Sequence, residues 1–575
     1  MKKIIFAIIL TFLFRGWVYA ATYYIDFSGG ADMNNGISPS TPWTHCPGDS
    51  NAKNTAGSTA LTGGDTVIFK GGVAYLGQIN VSSGSAGNIV TYDGNSSGVF
   101  GTGMAIIDGN YAANALGFNS TSKKYFTIQN FELRHFGDYA DMRAFSCRGC
   151  VTYPCLSGTS NLPNKTGTGI YIRQSTYATI RNCYFHEIGI WQNVQPVIGD
   201  ADINGYGIRV DSGDHITISN NEFTKMSYPV YLNVYNSNPM SLTNVTVSNN
   251  NFHNYIRWEL SIIVNGTGST MNGVDVYGNQ FRDFTEYDAG TFNGCGPNPH
   301  TDGIIFFIGG GNPPYTNNSL GTSSSPIRIY SNTFYQSTTS GNGGTAMIFV
   351  SGWGGTTWIY NNTFVNVRHH GEGAIYVQDG TRAVDNNPTL DYHIYNNTFY
   401  DDLYAVFLRS GTSGYELNSR SGNVISVKNN IFYQVNPYST YSVEIYDVNS
   451  RPTELDYNLY YSLKSDQTVM DWRNPGPGMN GKTLSGAQSA WEFEAHGKYG
   501  DPLFNNISYG LGLYSSLNDL HLQPLSPARN SGVSLSSYFT TDKDGVVRED
   551  WSIGAYESKS PLPPSNLKVK SSNKD

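Results

Sequence analysis

Charge is scarce in this 575-residue chain: Asp, Glu, Lys and Arg make up 14% of it. Basic residues are the scarcer sign, 35 against 44 acids, for a formal charge of −9. Nucleic-acid binding is thereby disfavoured, because it needs a basic face to displace phosphate counterions. An acidic polysaccharide is not excluded, since a local Arg cluster or a bound calcium ion offsets the general field. Long apolar runs are also missing. The run from Ile4 to Phe14 is far short of the ~20 residues that span a bilayer, and no other segment approaches that length. No ten-residue stretch between Thr168 and Tyr446 shows helical periodicity.

The apolar run has a different meaning. Lys2 and Lys3 precede it and Val18-Tyr19-Ala20 follows, the layout of a secretory signal cut after Ala20. Removing Lys2, Lys3 and Arg15 takes the basic count from 35 to 32 and the charge from −9 to −12. The mature protein is expected to be secreted, extracellular or at the cell surface, with the periplasm as the other destination. Cysteine is sparse as well, at six: Cys46, Cys147, Cys150, Cys155, Cys183 and Cys295. An even number in an exported chain favours disulfides. Zinc held by Cys147, Cys150 and Cys155 lacks a fourth ligand at finger-like distance.

What the chain has in abundance is repetition. Short β-branched runs lead into an Asn-rich turn and a Phe, Asn-x-x-Phe in its fullest form, at 180–185, 218–223, 247–252, 276–281, 329–334, 359–364, 394–399 and 427–432. The Phe positions lie 38, 29, 29, 53, 30, 35 and 33 residues apart. Self-similarity at this period marks a stacked architecture. Strands of four or five residues joined by Gly, Asn and Ser turns predict an all-β fold, a right-handed parallel β-helix with three strands per coil. The Asn is expected to take a left-handed backbone conformation and hydrogen-bond to the next coil, while Phe fills the interior. A single elongated domain of this size is feasible because each coil buries its face only against its neighbours. Capped ends leave no edge that forces association, so a monomer is expected.

Chemistry must come from outward side chains. Strands such as IYIR (170–173) and IRVD (208–211) point alternate residues outward. Stacking them predicts one column of Tyr171, Arg209, Tyr231, Tyr376, Phe407 and Glu444. A second holds Arg173, Asp211, Asn233, Gln378, Arg409 and Tyr446. Tyr rings stack on sugar faces and Arg forks bind carboxylates or sulfates, so these columns and Arg257 are candidate polysaccharide contacts. The apolar strands SIIV, IIFFI and MIFV offer no outward column. At their edge, candidate catalytic residues gather: His300 and Asp302; Glu259 beside Arg257 and Trp258; and His369, His370 and Glu372. Neighbouring carboxylates and imidazoles push each other's pKa values apart, as acid/base chemistry on a glycosidic bond or uronate requires. Asp302-Gly303 is also a turn signal, which gives Asp302 a capping role instead.

The opening YYIDFSGGADMNNGISPSTPW and LTGGDTVIFKGG (residues 21–125), the repeats (126–460), and DPLF, LHLQPLSPARNSG and DKDGVVREDWSIGAYE in the closing segment (461–556) resemble secreted pectate-lyase-like β-helix proteins. The resemblance implies a pectin-lyase-like fold. It also implies a polysaccharide-active protein, with a lyase on an acidic, uronate-containing chain placed first. A glycoside hydrolase, a uronate epimerase and a non-catalytic adhesive rod are the alternatives. Calcium is the metal such a lyase would use to neutralise the uronate. Pro299-His300-Thr301-Asp302-Gly303 is similar to the Asn-Thr-Asp-Gly motif of polygalacturonases, whose Asp would correspond to Asp302. That family's paired Asp, Gly-His-Gly and Arg-Ile-Lys are missing, Arg328-Ile329-Tyr330 being the nearest approach. The tail, 557–575, reads as a linker, and PLPPSNLKV resembles the first strand of a fibronectin type III module.

Overall fold

The computed structural model describes residues 20–137, 166–189, 205–234, 239–255, 257–283, 301–308, 318–336, 345–351, 354–367, 372–378, 388–410, 417, 420–435, 441–473, 481–507 and 518–558. Residues up to Tyr19, where the signal segment is expected, the tail beyond Ser558, Cys147, Cys150, Cys155, Cys295, His300, His369 and His370 lie outside the described residues. The fold is the expected parallel β-helix with three strands per coil. Strands of successive coils pair in parallel along three sheets, and the coil-to-coil partners keep their register from one coil to the next. In two coils, strands Thr168–Arg181 and Tyr206–Ser219, 14 residues each, run unbroken from the first sheet into the second. No described helix is long and apolar enough to cross a membrane.

The repeat motif builds the interior. Phe185, Phe223, Phe252, Phe281, Phe334, Phe364, Phe399 and Phe432 stack ring on ring at 4.6–5.1 Å. That is the spacing of hydrogen-bonded strands, so each coil sets the height of the next ring. The single Asn role expected from the sequence is divided between two adjacent positions. The first takes the left-handed conformation, as at Asn182, Asn220, Asn249, Asn361, Asn396 and Asn429, with Gly278 and Ser331 in the same place. The second makes the ladder: the Asn332 carboxamide oxygen accepts from the Asn279 backbone and side chain, each at 3.0 Å, while its Nδ2 donates to Val276 O and to Asn362 Oδ1. Asn221, Asn250, Asn279, Asn362, Asn397, Asn430 and Asn458 repeat the pattern. Where Cys183 stands in the ladder, only its backbone N–H takes part, donating to Asn221 Oδ1. The ladder ends on Glu494, whose carboxylate accepts from Asn458 and from the Tyr460 hydroxyl at 2.7 Å. Burial pushes this carboxyl up to about 7.

The closing segment does more than extend the coils. After the last coil and the helix Leu484–Trp491, residues 526–557 run back along the left-handed turns. Asn429 donates to Val533 O, Asn396 to Ser552 O and Gly554 O, and Asn361 to Thr541 O. Arg548 donates to Asn361 Oδ1, and Lys543 to Asn332 O. This strap therefore ties together four coils.

Disulfides do not form between the described cysteines: Cys46 and Cys183 are free, buried thiols. They sit in separate coils, each Sγ facing a nearby backbone carbonyl, and burial pushes Cys183 up to about 12.

Candidate functional site on the first sheet

Register places Tyr171, Arg209, Tyr231, Ser261, Ile305, Phe349, Tyr376, Phe407, Glu444 and Asp471 in one outward column. The apolar strands thus do contribute to this column, through Ser261, Ile305 and Phe349. Sequence alternation concealed this because both faces of those strands carry apolar residues. The column has three zones.

The first is a closed polar network. Arg209 Nε donates to Asp211 Oδ1 at 2.8 Å and the Tyr171 hydroxyl to Asp211 Oδ2 at 2.7 Å. The guanidinium lies over the rings of Tyr206 and Tyr171, 5.3 and 5.8 Å from their centroids. Asp211 is not in register with Arg173: a bulge pairs Arg173 with Ser212, which swings Asp211 back onto Arg209. The Tyr171 phenol is raised by burial and by its bond to Asp211. Asn233 donates to the Tyr231 hydroxyl at 3.3 Å and accepts from Asn265. Tyr171 and Arg209 also line a hollow of about 200 Å³.

The middle zone is a packed exterior. Ile305, Ala346, Phe349, Tyr376, Tyr404 and Phe407 form a buried cluster on the outside of the sheet, with Trp258, Tyr441 and Tyr446 against it. Tyr376, 2% exposed, is therefore packing rather than an open sugar platform. Arg257 is buried too, stacked 4.2 Å from the Trp258 ring. Asp302 is fully buried, and its Oδ1 accepts the backbone N–H of Ala346 at 3.0 Å, capping the next coil. Glu259 occupies the position that Gly303, Met347 and Ala374 fill in the following coils, and the last two belong to the core. It consequently points inward, with neither carboxyl oxygen hydrogen-bonded, and burial raises it well above the usual range. Glu259 and Asp302 stand three and two coils from Glu372, roughly 14 and 10 Å along the axis. The expected corner cluster is thus spread along the axis, because its members lie at the same edge of different coils.

The third zone gathers acids. Glu444, whose side chain is fully buried, is ion-paired with Arg473, and Asp471 follows it in register on the next coil. Glu372 is half-buried at the edge of the sheet, its backbone N–H bonded to Thr345 O. Burial pushes all three carboxyls up, Glu444 to about 7. Arg473 opposes the shift at each of them, and Asp471 and Glu372 reinforce it at Glu444. Arg473 also donates to the Tyr404 hydroxyl at 3.2 Å. Arg409 donates to the Tyr376 hydroxyl at 3.4 Å and lies 4.7 Å over Tyr446. Gln378, in register with Arg409, completes this edge. Glu444 and Asp471 face one guanidinium from neighbouring coils and cannot both ionise cheaply, and Glu444, pushed up to about 7, keeps a proton into the neutral range. Asp471 and Arg473 escape sequence reasoning because their strand, Met470–Trp472, is three residues long and lies beyond the last Phe of the repeat. Among the described residues, no three His, Cys, Asp or Glu side chains are grouped to hold a metal ion.

Residues 114–254 match the family model described as a right handed β-helix region. No curated protein matches the chain. Among solved structures, the chain is similar to XylC in complex with xylose, at 11% identity and a TM-score of 0.45 over 93% of this chain and 98% of that one. It is similar to a GH136 lacto-N-biosidase from Eubacterium ramulus, at 11% identity and 0.42 over 84% and 67%. Pectate lyase Pel9A aligns at 13% identity and 0.35 over 94% and 96%. The right-handed parallel β-helix itself rests on the coil-to-coil strand pairing and on that family match.

Proposed function

We propose that this is an exported polysaccharide-active protein that holds a glycan along the outer face of its first sheet and cleaves it at the acidic end. The observation that carries the reading is Glu444 and Asp471, in register on neighbouring coils, both raised by burial and facing Arg473, with Glu372 raised as well two coils from Glu444. Glycosidic hydrolysis needs one carboxyl to protonate the leaving oxygen and a second to act as base or nucleophile. Glu444, held near neutral, is assigned as the acid, and Asp471 or Glu372 as its ionised counterpart. Tyr171, Arg209, Asp211 and Tyr231 then serve as distal contacts for the chain.

Elimination on a uronate is the second reading. It is favoured by Arg473, placed to neutralise a uronate carboxylate while touching the Tyr404 hydroxyl, a candidate base. The test incubates mature protein with pectate, alginate, xylan and mannan while following reducing ends and absorbance near 235 nm. New reducing ends without absorbance, lost in Glu444→Gln, support hydrolysis. A rise in absorbance lost in Tyr404→Phe supports elimination. Silence in both, with retention on an immobilised glycan, moves the protein to a binding rod.

A further inference from the structure

A second groove lies on the second sheet, away from the carboxylates. Its volume is about 1040 Å³, at the upper limit for ligand sites. The floor is a column of hydroxyls, Thr179, Thr217 and Thr246, in register on consecutive coils. One wall is aromatic: Tyr125 and Tyr177 stack at 4.6 Å and 3°, and His215 stacks on Tyr177 at 4.6 Å. All three are at positive φ, which places their rings at the sheet corner, and Tyr177 is 43% exposed.

Both ends are closed by the same device. Two tight turns, Ser85–Asn88 and Thr322–Ser325, each held by a reciprocal pair of backbone hydrogen bonds, precede equivalent strands of the second sheet. The second turn seats on Gly273, at φ +63°, where an added Cβ would lie 2.8 Å from Ser325 Oγ. Five coils lie between the two turns, roughly 24 Å of floor. The charged side chains of the lining, Asp275 and Arg328, neutralise each other through two hydrogen bonds of 2.5 and 2.6 Å, and His215 is bonded to Asp214. Such a trough has no positive face for nucleic acid and no excess charge for a uronate. It offers hydroxyls for hydroxyls and ring surface for sugar C–H groups.

We propose that this groove is a second, non-catalytic site for an uncharged glycan segment of about five sugar units, roughly one per coil. It anchors a neutral stretch of polysaccharide while the first sheet handles the chemistry. The proposal does not depend on the reaction assigned to the first sheet.

The experiment is calorimetric titration of the full mature chain with neutral xylo-, cello- and manno-oligosaccharides of two to six units, and with tetragalacturonate. At least one neutral series is expected to bind, tightening up to about five units and then levelling off. Thr217→Trp, which fills the floor, is expected to weaken that binding at least about tenfold, and the exposed Tyr177→Ala several-fold, with thermal midpoints unchanged. Arg209→Ala on the first sheet is expected to leave it intact. The proposal is overturned if no neutral series binds, if Arg209→Ala abolishes binding while both groove variants keep it, or if tetragalacturonate is the ligand that Tyr177→Ala and Thr217→Trp lose.

Discussion

The two ends of the first sheet's outer face use the same residue types to opposite effect. Around Arg209, one carboxylate is held by one guanidinium and one phenol, and the charges close on themselves. Around Glu444, three carboxyls draw on Arg473, with Arg409 acting on Glu372 alone, and burial lifts all three. A balanced cluster is a rigid contact surface, whereas an acid-rich cluster must store a proton. The difference is one of stoichiometry and of backbone: a bulge turns Asp211 onto Arg209, whereas Glu444 and Asp471 sit on strands in unbroken register.

The largest expected effect comes from removing the stored proton's site. Glu444→Gln should lower kcat by about 10²–10⁴-fold with little change in KM, read by reducing-end release. Breaking the balanced end is milder: Arg209→Ala should raise KM about tenfold and leave kcat within a factor of about two. Next, Arg473 holds Glu444 below what burial alone would give, so Arg473→Gln should move the limb of the pH–rate profile that reports the acid upward by about one unit.

The last prediction concerns a carboxyl of similar pKa with no chemistry to do. Glu494, raised to about 7 at the end of the Asn ladder, keeps its proton in the fold to higher pH than in the unfolded chain. Its contribution is therefore best below the ordinary Glu pKa, is lost as pH rises from about 4.5 to 7, and then levels off, by an amount on the order of 3 kcal/mol. Glu494→Gln should flatten the fall in thermal midpoint between pH 5 and 8 while leaving kcat unchanged. If that variant loses activity instead, pKa alone does not separate the chemical acids from the structural ones.

Much of the fold was legible because one residue type carries the period. The Phe spacing predicted stacked coils of three strands, and aligning the strands that precede each motif gave the outward column of Tyr171, Arg209, Tyr231, Tyr376, Phe407 and Glu444. Detail failed where a local irregularity intervened. The bulge after Ile172 displaced Asp211, and the Asn role was divided because left-handed geometry and the ladder bond need adjacent residues. The depth of Glu259 and Asp302 was not legible, because the alignment of strand edges says which coil a residue is on and not which way it points. One points into the core and the other caps a coil. The second-sheet groove left no sequence signal, since Thr, Ser and Gly there read as ordinary strand and turn residues.

The strap of residues 526–557 changes how such a solenoid comes apart. A stack of coils held only by neighbours frays from its ends, each coil peeling independently. Here Lys543 and Arg548 reach across to coils whose turns lie about 190 to 210 positions earlier in the chain, at Asn361 and Asn332. Four coils must then open together or not at all, which replaces gradual fraying by a single cooperative clasp. Because the clasp follows the coils in chain order, those coils emerge first and lock last. During synthesis those coils thus stay unclasped until the closing segment has emerged.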